Sequence, residues 1–90
     1  MRQSALGVFK MAIVMVRPKA AWARLGDSRS GGYEKVKKQL LPPLVVLGPR
    51  MRGLPEHEID AINSARIAGK SDDQIRQLVR DLVVARRSAT

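Results

Sequence analysis

The chain of 90 residues carries a formal net charge of +9, has no cysteine and contains one histidine, His57. This length allows one small domain, and the composition excludes disulfide bonds and argues against a zinc site, which needs several Cys or His ligands. Only Phe9, Trp22 and Tyr33 are aromatic, so we expect the domain to depend on a partner for part of its stability.

The positive charge belongs to the first part of the chain. Residues 1–53 carry eleven Lys and Arg against Asp27 and Glu34, whereas residues 54–90 carry six basic and six acidic residues. A one-sided excess of cations is typical of proteins that contact a polyanion, either a nucleic acid or an anionic membrane surface. A targeting segment or a solvated basic tail would give the same pattern.

The first predicted segment, residues 1–32, is basic and resembles a transit peptide. Its apolar run, residues 5–16, is shorter than the roughly 20 residues that cross a bilayer, and no site of secretory cleavage follows it. Six cations against one acid, with interspersed serines, are typical of an organellar transit peptide. Pro18 should break any helix that starts at Ser4, which leaves a short helix ending at Gly26. Whether the segment is cleaved stays open.

The second predicted segment, residues 33–53, joins a short helix to an extended stretch. The string DSRSGG before it, residues 27–32, has the composition of a flexible connector. YEKVKKQLL predicts a helix on which Val36 and Leu40 share a face. Prolines bound the apolar stretch that follows and favour an extended path along a surface over a sheet interior.

The third predicted segment, residues 54–90, is a helical hairpin. Pro55 is predicted at the first position of its first helix and Gly69 at the end. Ser71 and Gln74 predict a capping box at the start of its second helix. The apolar positions that recur at helical spacing, and that we expect to pack the hairpin, are Ile59, Ile62, Ala65, Ile75, Leu78, Val79, Leu82 and Val83. Their burial alone does not offset the entropy of ordering the segment, so we expect other surfaces to cover it.

The string ARIAGKSDDQIRQLV, residues 65–79, resembles the first helices of bacterial helix-turn-helix regulators. The resemblance implies DNA binding. Such regulators need a further turn near Leu78 so that a separate recognition helix can enter the major groove, but the sequence continues as LVRDLVVARR without Gly, Pro or Asn. We therefore expect Gly69 to mark the hinge of a packing module, with DNA binding as a minor alternative.

The candidate contacts to a polyanion are cations of the first half. In RPKAAWARLGDSR, Trp22 lies among basic residues and is predicted to stack on a base while the cations bridge phosphates. An amphipathic targeting helix with one interfacial Trp is the alternative. In GPRMRG, two arginines lie in a Gly/Pro frame that can follow a phosphate chain. The predicted RNA contacts are Arg17, Lys19, Trp22, Arg24, Arg29, Lys37, Lys38, Arg50 and Arg52.

The sequence contains no catalytic, cofactor-binding or metal-binding motif. The triplet at residues 69–71 lacks the upstream glycine of a P-loop, because Ser64 stands five residues before Gly69. His57 lies between two glutamates, but neighbours in sequence point to different faces of a helix. We therefore predict that the chain is not an enzyme and has no cofactor and no small-molecule substrate.

The predicted fold class is mostly α, with an extended basic N-terminal half of short helices and loops, a C-terminal antiparallel helical hairpin, and little or no sheet. This layout resembles that of small ribosomal proteins, which combine basic extensions with a compact helical part. We expect a structural protein of the mitochondrial ribosome that binds rRNA through its basic half and docks on neighbouring proteins through the hairpin. The alternative is an accessory subunit of a respiratory or ATP synthase complex, whose cations meet anionic lipid on the matrix side of the inner membrane.

Overall fold

The computed structural model describes residues 13–89. Over this range the chain is mostly helical, with a small antiparallel sheet of three strands in the order β1-β3-β2. In chain order the elements are β1 (Met15–Val16), α1 (Pro18–Leu25), α2 (Arg29–Lys37), β2 (Val45–Gly48), β3 (Met51–Pro55), α3 (Glu56–Ile67), α4 (Asp72–Ala85) and a 3-10 helix (Arg86–Ala89). Of the predicted apolar run, residues 5–16, the part up to residue 12 lies outside the described residues.

The sheet is small, in keeping with the expected low sheet content, but it corrects the expectation that the Pro-rich stretch lies along a surface and not in a sheet. The stretch expected to lie extended on a surface forms a hairpin of β2 and β3, and β3 is the central strand. Its prolines are compatible with pairing because Pro49 lies in the turn and Pro55 is the last residue of β3. The N–H of Glu56, the residue after Pro55, donates to the carbonyl of Val14 at 2.8 Å.

Helix α1 follows its local sequence signals. Pro18 occupies its first turn, where a missing N–H is tolerated. Gly26 ends the helix in the left-handed conformation, with φ of 74°, and its N–H donates to the carbonyl of Ala23. The prediction of a short helix between Pro18 and Gly26 is confirmed.

Residues 29–32, by contrast, do not form the predicted flexible connector. They are the first turn of α2, because the side chain of Ser28 caps this helix and accepts a hydrogen bond from the N–H of Gly31 at 3.0 Å. The cap satisfies one of the backbone donors that a helix start leaves unpaired. Two glycines in the first turn are thus helical despite their low helix propensity.

Helices α3 and α4 are joined by residues 68–71 and pack on one another. Helix α3 starts at Glu56, one residue later than predicted, and Gly69 has a φ of 76°. The predicted capping box is confirmed: Gln74 N donates to Ser71 Oγ at 3.2 Å, and Ser71 N donates to Gln74 Oε1 at 2.9 Å. Within residues 13–89, α4 continues through Leu78 without the turn that would separate a recognition helix.

The hydrophobic core draws on all three predicted segments. Its buried residues are Val16, Ala21, Trp22, Leu25, Leu41, Leu54, Ile59, Ile62, Ala65, Ile75 and Val79. Leu78, Leu82 and Val83, the other predicted hairpin positions, are partly buried against this core. The part of the transit-like segment that the structure describes is therefore built into the fold.

A buried ion pair connects α3 to the end of the chain. Glu58 is fully buried, and its carboxylate accepts hydrogen bonds from Nε of Arg86 at 2.9 Å and from Nη2 at 2.7 Å. The same Nη2 donates to the carbonyl of Pro43 at 2.8 Å. One guanidinium thus holds together α3, the 3-10 helix and the segment before β2, with the geometry of a strong bidentate pair.

Candidate nucleic-acid interface

A surface cleft of about 600 Å³ lies between α1 and α2. The residues that line it are Pro18, Lys19, Trp22, Ala23, Asp27, Arg29 and Tyr33. Three of the predicted RNA contacts, Lys19, Trp22 and Arg29, therefore line one cleft. We refer to this site as the α1–α2 cleft.

The aromatic side chain exposed at the α1–α2 cleft is Tyr33. Its exposed fraction is 41%, whereas that of Trp22 is 4%. The two rings meet edge to face, with centroids 5.1 Å apart and an interplanar angle of 67°. The stacking role predicted for Trp22 does not fit its burial, because a base needs an open ring face. Sequence reasoning missed Tyr33, whose exposure depends on where Trp22 packs.

Trp22 is held by packing and not by its polar atom. Its Nε1 is buried and has no hydrogen-bond partner among the described residues. A buried donor without a partner costs about 1–3 kcal/mol, which the contacts of the large ring must offset. Gly32 lies close to this ring: a Cβ on this glycine would be 2.4 Å from Cε3 of Trp22.

An ionic cluster fixes the corner between α1 and α2. The carboxylate of Asp27 is nearly buried and pairs with Lys35 and, at 3.5 Å, with Nη2 of Arg66. Nη1 of Arg66 donates to the carbonyl of Leu25 at 2.9 Å. Because two cations compensate Asp27, the field in the α1–α2 cleft is set by Lys19 and Arg29.

Two predicted RNA contacts are engaged by acidic side chains of the same chain. Nη1 of Arg24 donates to Glu56 at 2.8 Å, and Nη2 lies 3.8 Å from Asp60. The hydrogen bond to Glu56, together with the charges of Glu56 and Asp60, raises the pKa of the Arg24 guanidinium. Lys38 pairs with Glu34 at 3.6 Å, one turn earlier on α2. Contact of either cation with a phosphate would compete with these ion pairs.

The remaining predicted cations are exposed and have no acidic partner within the part of the chain that the structure describes: they are Arg17, Lys19, Arg29, Lys37, Arg50 and Arg52. The structure brings only Lys19 and Arg29 to the α1–α2 cleft. Arg50 lies in the β2–β3 turn and Arg52 on β3, opposite Val46. Their contact with RNA stays a prediction.

The four arginines described next, in the C-terminal half, form hydrogen bonds within the protein. Arg66 and Arg86 hold the contacts described above. Arg76 donates to Asp73 at 3.2 Å and to the carbonyl of Lys38 at 3.0 Å. Arg80 donates to Gln77 at 2.7 Å. Arg66, Arg76 and Arg86 thus carry ion pairs, and among the described residues Arg80 bonds only to a neutral side chain. Most described cations of the first half, by contrast, have no acidic partner within residues 13–89.

Comparisons of the chain with protein-family models, curated proteins and solved structures give no significant match. Across residues 13–89, no helix has the length and apolar character needed to cross a bilayer. The same residues contain no group of three or more His, Asp or Glu side chains arranged to hold a metal ion. The function must therefore be argued from the surface chemistry alone.

Proposed function

We propose that this chain is a non-catalytic structural component of a mitochondrial ribonucleoprotein, most specifically the mitochondrial ribosome, and that its basic half binds rRNA. The observation that carries the proposal is the unequal use of cations. Arg17, Lys19, Arg29, Lys37, Arg50 and Arg52 are exposed and, among the described residues, free of acidic partners. Such cations bind phosphate without first breaking an ion pair.

The physical basis is the release of counterions from RNA. Each phosphate that a Lys or Arg neutralises frees condensed cations, which supplies most of the sequence-independent affinity. A cation already paired within the protein contributes less to this process, because its pairing energy must be given up. The free cations of the first half are thus the preferred contacts, and they position the protein on the RNA backbone without reading its sequence.

The C-terminal hairpin, in this proposal, docks on a neighbouring protein of the same particle. A second surface cleft of about 530 Å³ supports this role. Side chains of α4 line it, among them the exposed Val84 and the partly buried Val83. An exposed apolar surface of this kind is typical of an interaction site. The chain would then lie between rRNA and protein, in the matrix.

The proposal is tested by sedimentation of mitochondrial lysate through a sucrose gradient, with the chain followed by mass spectrometry before and after ribonuclease treatment. We expect it to migrate with ribosomal particles and to leave those fractions when the RNA is digested. Migration with a detergent-solubilised membrane complex, indifferent to ribonuclease, would refute the proposal and support the accessory-subunit alternative.

Two matched variants test the proposal that unpaired cations bind RNA and ion-paired cations do not. Arg50→Gln with Arg52→Gln removes two free charges, and Arg24→Gln with Arg76→Gln removes two charges that pair with the acidic side chains of Glu56 and Asp73. The first pair should weaken binding of the full chain to rRNA fragments and reduce the slope of log K against log salt, by roughly 0.7–0.9 per lost phosphate contact. The second pair should leave the slope close to that of the parent chain.

A further inference from the structure

We propose that the α1–α2 cleft binds one unpaired nucleotide of RNA, with the base stacked on Tyr33 and the adjoining phosphate contacted by Lys19 and Arg29. This inference rests on the proposed function and deepens it, because it names the form of RNA that the basic half recognises. It predicts that the protein distinguishes single-stranded from duplex RNA.

The stacking surface is exposed and fixed in place. Tyr33 is two-fifths exposed as a residue. Its ring packs edge to face on Trp22. Trp22 is in turn held against Gly32, one residue before Tyr33. A ring held in this way loses little conformational freedom when a base stacks on it, which favours binding. Stacking on exposed aromatic side chains is how many proteins bind single strands without sequence preference.

The charge in the α1–α2 cleft suits a phosphate. Lys19 and Arg29 line the cleft and are exposed, and neither has an ion pair with any described residue. The acidic lining residue, Asp27, is compensated by Lys35 and Arg66. An anion that enters therefore meets two uncompensated positive charges beside the exposed Tyr33 side chain.

The recessed position of Tyr33 selects an unpaired base. Within an A-form duplex, both faces of a base are covered by its neighbours and the major groove is too narrow for side chains to enter. A base must be splayed out of the helix to reach a ring inside a cleft. The volume of about 600 Å³ lies within the range of roughly 300–1,000 Å³ that is usual for pockets of small ligands. A duplex would meet the cations but not Tyr33.

The decisive experiment measures fluorescence anisotropy of labelled RNA with the full chain. The probes are an oligouridylate of about twelve nucleotides, within the site sizes of single-strand binders, and a duplex of the same length. We expect Tyr33→Leu, which keeps an apolar contact to Trp22, to weaken binding of the single strand about tenfold, as the loss of one stacked base predicts, and to leave duplex binding unchanged. Tyr33→Phe, the matched control, should bind both probes as the parent chain does.

A second measurement isolates the phosphate contact. Because both cations are proposed to contact one phosphate, Lys19→Gln with Arg29→Gln should lower the salt slope for the single strand by about 0.7, the value for one neutralised phosphate. The control, Arg24→Gln with Arg76→Gln, removes the same charge at two ion-paired arginines that do not line the cleft, and it should leave that slope unchanged. Because Lys19 and Arg29 are exposed, we expect the variant that replaces both to keep the fold. It therefore tests the proposed phosphate contact even where Tyr33→Leu lowers stability.

Two results would overturn the inference. In the first, the chain binds single strand and duplex with equal affinity, and neither Tyr33→Leu nor the double variant of Lys19 and Arg29 changes that affinity. The other is a full chain that binds only duplex. Both leave the proposed function standing, since RNA is still bound; that function fails separately, when sedimentation of the native chain is indifferent to ribonuclease.

Discussion

Gly32 sets how closely α2 approaches the indole of Trp22. A sequence of two glycines after serines is typical of a linker, and that composition predicts nothing about close packing. In the structure the hydrogen atom of Gly32 faces the six-membered ring, where a methyl group would overlap Cε3 and Cδ2. The glycine is needed here for space and not for an unusual backbone angle.

We expect Gly32→Ala to destabilise the fold by about 1–3 kcal/mol, the usual cost of forcing a methylene into a packed core. The higher helix propensity of Ala offsets roughly 0.5–1 kcal/mol of this destabilisation. The free energy of unfolding is measured by urea denaturation followed by circular dichroism. Gly31→Ala is the control, because its added Cβ meets only the Ser28 side chain, at 3.0 Å. Equal stability of the two variants would contradict the packing argument.

Residue roles were predictable from the sequence where they depend on immediate neighbours. The cap at Ser71 and the end of a helix at Gly26 follow from local hydrogen bonding and sterics, and both are found. The burial of Trp22 and the exposure of Tyr33 were not predictable in this way, because they depend on which helices meet. The same limit applies to Arg24, whose partner Glu56 lies 32 residues away in the chain.

Helix α4 is the element whose start is most clearly specified by its own residues. We expect Ser71→Ala to lower stability by about 1 kcal/mol, since it leaves the N–H of Gln74 without its acceptor. Thermal unfolding measured by circular dichroism reports the change. Ser64→Ala, at an exposed position within α3, is the comparison and should stay within about 0.5 kcal/mol of the parent. Indistinguishable losses for the two serines would show that the cap adds nothing to stability.

Strands were harder to predict than helices in this chain. Each helix carries its signals within its own length, such as Pro18 and Gly26 for α1. The pairing of Val16 with Leu54 joins residues that are far apart in the chain, and no local pattern specifies such partners. Val45 and Gly53 pair within a local hairpin, but the Pro, Gly and Arg of this stretch are not typical strand residues. Strand preference reflects context more than the residues themselves, so a segment of Pro, Gly and Arg became the central strand.

The ion pair of Glu58 and Arg86 matters at the scale of the whole molecule, since it joins segments that are distant in sequence. We expect Arg86→Met to cost about 3–5 kcal/mol, because it leaves a carboxylate fully buried and unpaired. Glu58→Met should cost less, as the Arg86 side chain is 24% exposed and can reach water. Chemical denaturation of both variants gives their free energies of unfolding and shows which substitution destabilises the fold more.

The double variant, Glu58→Met with Arg86→Met, provides the control for this prediction. Replacing a buried ion pair by apolar side chains is often nearly neutral, so we expect it to be more stable than Arg86→Met alone. If the losses of unfolding free energy in the two single variants add in the double variant, so that it is the least stable of the three, Glu58 and Arg86 stabilise the fold through two separate effects.

The transit-like composition of residues 1–32 also has to be reconciled with the whole fold. Val16, Ala21, Trp22 and Leu25 belong to the core, and α1 forms one wall of the α1–α2 cleft. Cleavage after residue 32 would remove all of them. Within residues 13–32, packing and surface charge account for apolar and basic residues that composition alone does not separate from a targeting signal.

The order of the strands has a consequence for the chain as it is made. Strand β1 is synthesised first, yet its only pairing partner among the described strands, β3, follows about 40 residues later, which takes roughly 2–8 s at about 5–20 residues per second. During that interval the backbone donors and acceptors of β1 face no strand of their own sheet. A nascent chain in this state is open to mispairing with other chains, so a holding chaperone would act best before β3 has emerged.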